Sequence, residues 1–399
     1  MIPIIPATRL QTNQDAASSG LKNPPPLSLY IHIPWCVRKC PYCDFNSHEL
    51  KTEIPEKQYI DALIADLEQA TPKIWGRKIR SIFFGGGTPS LFSAESIDRI
   101  LSQVRALTPL EYNCEITLEA NPGTVDIANF KGYQQAGINR LSLGIQSFRP
   151  QHLQALGRIH DREQALQAID LAMQTFPRVN LDVMYALPNQ SIDEALRDAA
   201  IASELAPSHI SFYHLTLEPN TAFHRTPPPL PDDDTSAEMQ MRIEELLALH
   251  GYQHYETSAF CKPNQQARHN LNYWTFGDYV GIGAGAHSKL SYHDKITREA
   301  RPKHPKQYIQ QALAGKAPEE VWAIEKTDLA FEFMMNALRL TQGFDPMLFQ
   351  QRTGMPWESI SPRVSEASKR GFLEVTPSLV KPTQLGQRFL NDLLAIFLD

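Results

Sequence analysis

Cys36, Cys40 and Cys43 lie within eight residues of one another in YIHIPWCVRKCPYCDF, a C-x3-C-x2-C spacing directly after a short apolar run. So close a spacing lets one loop wrap a cubane and present three thiolates to three irons. A 4Fe-4S cluster usually takes four protein thiolates. Cys114 falls on an expected strand and Cys261 is far along the chain, so neither offers that loop a fourth ligand. The pattern predicts a 4Fe-4S cluster with one open iron, the state a catalytic cluster needs. The competing reading is a structural zinc site or three unrelated thiols. Zinc motifs favour paired C-x2-C units with a second pair downstream, and none follows here.

Other residues have chemistry to offer. Gly85 to Pro89 read GGGTP at the end of an apolar run, where missing side chains let backbone groups approach a ligand. No Gly-Lys-Ser/Thr follows, so this is not a phosphate loop. Glu119 in LEANPGT, Gln146 in LGIQSF, Arg158 in LGRIH and Asp182 in LDVMYALP sit at or just beyond expected strand ends. Singly, each reads equally well as a capped or salt-bridged core residue; together, in successive units, they point to one mouth. In ARHNLNYWTFGDYVGIGAGAHS, His269, Asn270, Tyr273 and Trp274 offer an axial nitrogen beside aromatic surface, as a haem pocket requires. The same residues also read as a structural turn around a satisfied core histidine.

The elements that must carry these groups are legible from Leu27 onward. Apolar runs (LSLYIHI, SIFFGGG, CEITLEA, RLSLGIQS, VNLDVMYAL, HISFYHLTL) alternate with helical stretches near 56–70, 94–106, 126–136, 161–175 and 191–205. Continuous rather than alternating hydrophobicity marks a parallel sheet covered on both faces. Right-handed crossovers curl six such units into a partial (β/α)6 barrel, with the site at the C-terminal ends of its strands. The expected division is a mobile leader over 1–26, a barrel core over 27–235, a barrel-completing segment over 236–300 and a small, mainly helical domain over 301–399. In the last, FEFMMNALRL reads as an amphipathic helix and the final stretch as a hairpin with a closing helix. Residues 325–399 carry eight Lys/Arg against nine Asp/Glu, so no basic face for DNA is evident and packing against the barrel is expected.

Whole-chain properties narrow the class. The net charge of -6, from 38 Lys plus Arg against 44 Asp plus Glu, gives no electrostatic footprint for nucleic acid. No run approaches the roughly 18 apolar residues that span a bilayer, and MIPIIPATRL lacks a charged n-region. A cytoplasmic protein is expected.

YIHIPWC, GGGTPSL, EANPGT, GIQSF, HNLNYW and GIGAGAHS together resemble the radical S-adenosylmethionine superfamily over most of residues 27–290, and within it the HemW-type haem chaperones of the oxygen-independent coproporphyrinogen III oxidase-like family. The resemblance implies that Gly86, Gly87 and Thr88 support the methionine amine of S-adenosylmethionine. It assigns Glu119 and Arg158 to the carboxylate and ribose region, Gln146 and Asp182 to the ribose hydroxyls, Tyr30 to the sulfonium side and Tyr42 to the adenine. It links H-N-x-x-Y-W to haem, with His254 and His287 as rival ligands. The function implied is haem binding and transfer to acceptor haemoproteins, by a monomer or weak homodimer, with room for transient membrane-associated partners. The alternative is radical decarboxylation of coproporphyrinogen III. Two departures from the oxidases favour the chaperone: Phe45 stands where they carry a further cysteine, and only about 26 residues precede the first strand. Ala267, two residues before the motif histidine, stands where a cysteine is expected in many relatives, which weakens any thiolate attachment of haem there.

Overall fold

A computed structural model describes residues 20–123 and 129–398. Residues 1–19, and the first part of the helix expected near 126–136, lie outside the described residues. Six parallel strands form the barrel: β1 (Leu27–Ile33), β2 (Ile79–Gly86), β3 (Leu110–Ala120), β4 (Arg140–Gln146), β5 (Val179–Tyr185) and β6 (His209–His214). They pair in chain order, each parallel to the next. Their apolar runs are buried on both faces; Leu29, Ile31, Ile82, Leu118, Leu141, Leu143, Leu181 and Val183 all belong to one core.

Three of the helices between them start where a side chain accepts one of their first N–H groups. Over α1 (Glu56–Ala70), α2 (Ala94–Leu107), α3 (Phe130–Ala136), α4 (Arg162–Thr175) and α5 (Ile192–Glu204) the caps vary in kind. Asp161 with Gln164 and Ser191 with Glu194 form reciprocal capping boxes at α4 and α5. Ser93 caps α2 by accepting the Ser96 N–H, and its own N–H donates to Glu56 at 2.8 Å. The third helix ends on Gly137 at φ 115°, the left-handed stop glycine supplies.

Beyond the barrel come α6 (Asp233–Leu249), a hairpin of β7 (Gln253–Glu256) and β8 (Ala259–Cys261), α7 (Arg268–Trp274) and strands β9 (Asp278–Ile282), β10 (His287–Ser291), β11 (Ile296–Ala300) and β12 (Glu320–Ala323). The hairpin extends the sheet beyond β6, antiparallel, and β9 pairs parallel to β1. One twelve-stranded sheet results, ordered β12-β11-β10-β9-β1-β2-β3-β4-β5-β6-β8-β7.

Two expected boundaries move. Residues 20–26 are not a loose leader: the Leu21 N–H donates to His293 O at 3.1 Å, Arg77 donates to Pro25 O, and Leu21 is buried in the C-terminal core. The second domain does not begin at 301 either. Helix α8 (Pro305–Leu313) packs on α1, and β12 still pairs with β11. A separate core starts only near Ile324, around Phe333, Phe344, Phe349, Val364 and Leu393, with α9 (Lys326–Ala337) as its first helix.

Candidate functional site

The C-terminal ends of β1 to β6 surround a cavity of about 350 Å³ whose walls include Cys36, Cys40, Cys43, Glu119, Arg158 and Asp182. Tyr42, Gly86, Gly87, Thr88 and Gln146 complete the set that the sequence brings here. Groups up to 146 residues apart thus meet because the strands and the loops that follow them open on one end of the sheet.

All three loop cysteines are free and partly exposed, whereas Cys114 and Cys261 are buried. Burial pushes the Cys36 thiol up to about 11 and raises that of Cys43, so neither ionises readily without a metal to stabilise its thiolate. The loop is held by its neighbours. Ser47 Oγ lies 3.7 Å from Cys43 Sγ, and Arg158 Nη1 donates to Cys40 Sγ at 3.7 Å. Three thiols from one loop on the wall of one cavity, with no further cysteine lining it, match the donor set of a cluster with one open iron.

The glycines earn their place by close approach. The Gly87 N–H donates to Ile33 O and the Thr88 N–H to Trp35 O, both at 2.7 Å, lacing the GGGTP turn to the cysteine strand. A Cβ on Gly87 would stand 2.4 Å from Trp35 O. Gly86 has φ 115°, and a Cβ there would meet the His32 ring at 2.5 Å.

Glu119 accepts the Gly86 N–H at 3.2 Å and is pushed up to about 8, first by burial and then by the Asp182 carboxylate. Asp182 is raised by burial, although it accepts from Ser142 Oγ at 2.8 Å and Asn180 Nδ2 at 2.9 Å. Arg158 Nη2 donates to Asn121 Oδ1 at 2.7 Å and to Gly144 O at 2.8 Å, while its buried Nε has no partner among the described residues. Gln146 is held at φ 68° where the β4–β5 register slips, an uncommon conformation for a side-chain-bearing residue. Asn121, Ser142 and Asn180 are functional supports that sequence reading missed. Asn121 was in view inside LEANPGT, but nothing along the chain pairs it with Arg158.

Two expected placements are corrected. Tyr30 does not line the cavity. Its ring stacks on Phe83 in the barrel interior and its hydroxyl lies 2.8 Å from His32 Nδ1. His32 Nε2 in turn donates to Asn46 O at 2.9 Å, and Asn46 Nδ2 donates to Ala284 O and Lys303 O. Tyr30 therefore braces the end of the cysteine loop from beneath.

His269 lies outside this cavity, and one of its ring nitrogens is held by a carboxylate. Helix α7 lies against β1 and β2, and His269 is 7% exposed with Nδ1 3.0 Å from Glu115 Oε1. Glu115 sits level with Ser81, four residues before Glu119 on β3 and so farther from the cavity end of that strand. The imidazole also packs on Phe83, ring centroids 4.3 Å apart. Asn270 donates to the Tyr255 hydroxyl at 3.1 Å, Tyr273 packs edge-on against Tyr279, and Arg339 stacks over Trp274. Among the rival histidines, His254 stacks on Phe260 and lies 4.0 Å from Glu244, and His287 is exposed at the start of β10.

Comparison with known proteins agrees with this division. The sequence model of the Radical SAM superfamily matches residues 30–200, and that of the HemN C-terminal domain matches residues 324–389. The chain is 49% identical over 380 residues to a protein of Haemophilus influenzae named heme chaperone HemW, covering 94% of this chain and 98% of that one. It is 48% identical to the Escherichia coli protein of the same name, again over 94% and 98% of the two chains. Among solved structures, the coproporphyrinogen III oxidase HemN of Escherichia coli superposes with a TM-score of 0.79 over 94% of this chain and 90% of that one, at 23% identity. That likeness establishes a shared fold.

Proposed function

Because this chain belongs to the HemW haem chaperone family within the radical SAM superfamily, we propose that it binds haem and hands it to acceptor haemoproteins, and that it carries a 4Fe-4S cluster and S-adenosylmethionine in the barrel mouth. The observation that carries the haem reading is near-half identity to two HemW proteins along almost their whole length.

Cys36, Cys40 and Cys43 hold the cluster in this reading. When bound, the cluster supplies an electron and one open iron for the methionine amine and carboxylate. Gly86, Gly87 and Thr88 form the rim beneath the amine. Glu119 and Arg158 orient the carboxylate and ribose, Asp182 and Gln146 hold the ribose hydroxyls, and Tyr42 lies beside the adenine. A 350 Å³ mouth is near the lower end for a small-molecule site and suits one nucleoside-bearing ligand. Phe45, 59% exposed at the rim, brings no thiol where the oxidases carry one.

Among the described residues no helix is long and apolar enough to cross a membrane. We assign the chain to the cytoplasm, with haem and acceptor haemoproteins as its partners. The reading is tested by titrating the cluster-reconstituted protein with haem, then mixing it with an apo-haemoprotein. A stoichiometric Soret band that moves to the acceptor supports it; no uptake of haem overturns it.

A further inference from the structure

A column of polar side chains runs from the mouth to α7. Asp182 and Asn180 are two apart on β5 and share one face of it, and Asn180 pairs level with His209 on β6. Asn180 Nδ2 donates to Asp182 Oδ1 at 2.9 Å, and Asn180 Oδ1 lies 2.6 Å from His209 Nδ1. His209 Nε2 lies 2.9 Å from the Tyr255 hydroxyl on β7. That hydroxyl accepts from Asn270 Nδ2 of α7 at 3.1 Å and from the Ala267 N–H at 3.3 Å. Asn180, His209 and Tyr255 are buried, and none of them lines the mouth.

The chemistry of these groups fixes the direction of every bond. An ionised carboxylate only accepts, so Asn180 turns its amide nitrogen to Asp182 and its oxygen to His209. Burial, with the Arg140 charge adding to it, holds His209 far on the neutral side of its ordinary range, so the ring has one N–H and one lone pair. Its N–H goes to Asn180, and its lone pair takes the Tyr255 O–H. The Tyr255 oxygen then accepts from α7. Donation runs one way, from α7 to Asp182, and bonds aligned in one direction polarise one another. Ser142 and Ser211 brace the column, donating to Asp182 Oδ2 at 2.8 Å and to Asn180 Oδ1 at 3.1 Å.

We propose that this column is a relay that couples ligand binding at Asp182 to the seating of α7. The proposal rests on the reading that S-adenosylmethionine fills the mouth with its ribose hydroxyls on Asp182, and adds the coupling. A hydroxyl held by Asp182 fixes the carboxylate, and each bond behind it is fixed in turn. No link can yield alone, because that would leave a buried donor or acceptor unpaired. Apolar groups of the same shape would fill the space at little cost in stability, so packing alone does not call for these residues. Such coupling is reciprocal: what seats α7 also sets Asp182 for its ligand. Helix α7 carries HNLNYW, which the family resemblance links to haem, so the relay gives the mouth a hold on that motif.

The test uses the full chain with its cluster reconstituted and S-adenosylmethionine as the probe. Calorimetry reads affinity, and hydrogen–deuterium exchange reads the amides of residues 267–274. In the unaltered protein the ligand should slow exchange there about fivefold or more. Tyr255→Phe keeps the ring and removes the link, so it should lose that protection and bind S-adenosylmethionine about fivefold more weakly. Asp182→Asn should cost less affinity in the Tyr255→Phe background than in the unaltered protein, a non-additivity that two separate structural roles would not give. Iron-sulfur content and thermal midpoint check folding. Full protection in Tyr255→Phe, or strictly additive losses of affinity, would overturn the relay. So would an unaltered protein that binds S-adenosylmethionine with no change at α7, a result that requires no variant. Failure of the unaltered protein to bind the ligand would instead overturn the reading of the mouth.

Discussion

Glu115 Oε1 accepts the Nδ1–H of His269 at 3.0 Å, and the same oxygen accepts the backbone N–H of Arg268 at 2.9 Å. Its other oxygen binds Arg178. One buried carboxylate thus fastens the start of the HNLNYW helix to the barrel wall. Burial keeps His269 on the neutral side of its ordinary range despite the opposing effect of Glu115. The contact is therefore a hydrogen bond to a carboxylate, with Arg178 supplying the countercharge.

Removing that carboxylate should be costly. Glu115→Gln leaves the partly exposed Arg178 without its charge partner, and losing a charge-assisted hydrogen bond of this kind costs about 1–3 kcal/mol. Thermal unfolding should show a large fall in midpoint. An unchanged midpoint would mean that α7 is held by packing alone.

His269→Ala should lower stability by about 1–3 kcal/mol, the cost of a lost buried hydrogen bond and its packing. A midpoint equal to that of the unaltered protein would mean that the His269–Glu115 hydrogen bond makes no net contribution.

The pH dependence follows from Glu115. Burial would raise its pKa, but the His269 hydrogen bond and the charges of Arg140 and Arg178 outweigh burial and hold it well below the usual carboxylate range. A depressed folded-state pKa gives stability that is present above the unfolded value near 4.5 and lost as pH falls below it. Urea unfolding between pH 6 and about 3 should therefore show a steeper loss for the unaltered protein than for Glu115→Gln. Parallel slopes would remove Glu115 from the account.

At the mouth, Ala in place of Cys36, Cys40 or Cys43 should abolish cluster iron and its absorbance. Cys114→Ala and Cys261→Ala should retain both, since those thiols are buried in strands away from the cavity. Cluster loss on changing Cys114 alone would require a different ligand set.

Glu119→Gln and Arg158→Ala in the cluster-loaded protein should each weaken S-adenosylmethionine binding about tenfold or more. A polar partner lost at a desolvated site costs on the order of 1–3 kcal/mol. Unchanged calorimetric affinity in both would take these residues out of the site.

The barrel was legible because its strands are buried on both faces, so hydrophobic runs such as LSLYIHI and RLSLGIQ state their own role. The mouth was legible because polar and glycine residues gather where those runs give way to the loops that follow them. Where exposure breaks the link between pattern and structure, the reading failed. All four residues of β12 are exposed, so EVWA carries no strand signature and the boundary near 324 was placed too early. HNLNYW was ambiguous because a buried histidine and a ligand histidine share one sequence; the deciding partner, Glu115, lies 154 residues away.

In the proposed role this protein carries haem and does not make its precursor. The most direct measurement gives the anaerobically reconstituted protein, with reductant and S-adenosylmethionine, haem in one vessel and coproporphyrinogen III in another. The account predicts stoichiometric haem uptake in the first and no protoporphyrinogen in the second. Multiple turnovers of coproporphyrinogen III to protoporphyrinogen would contradict it.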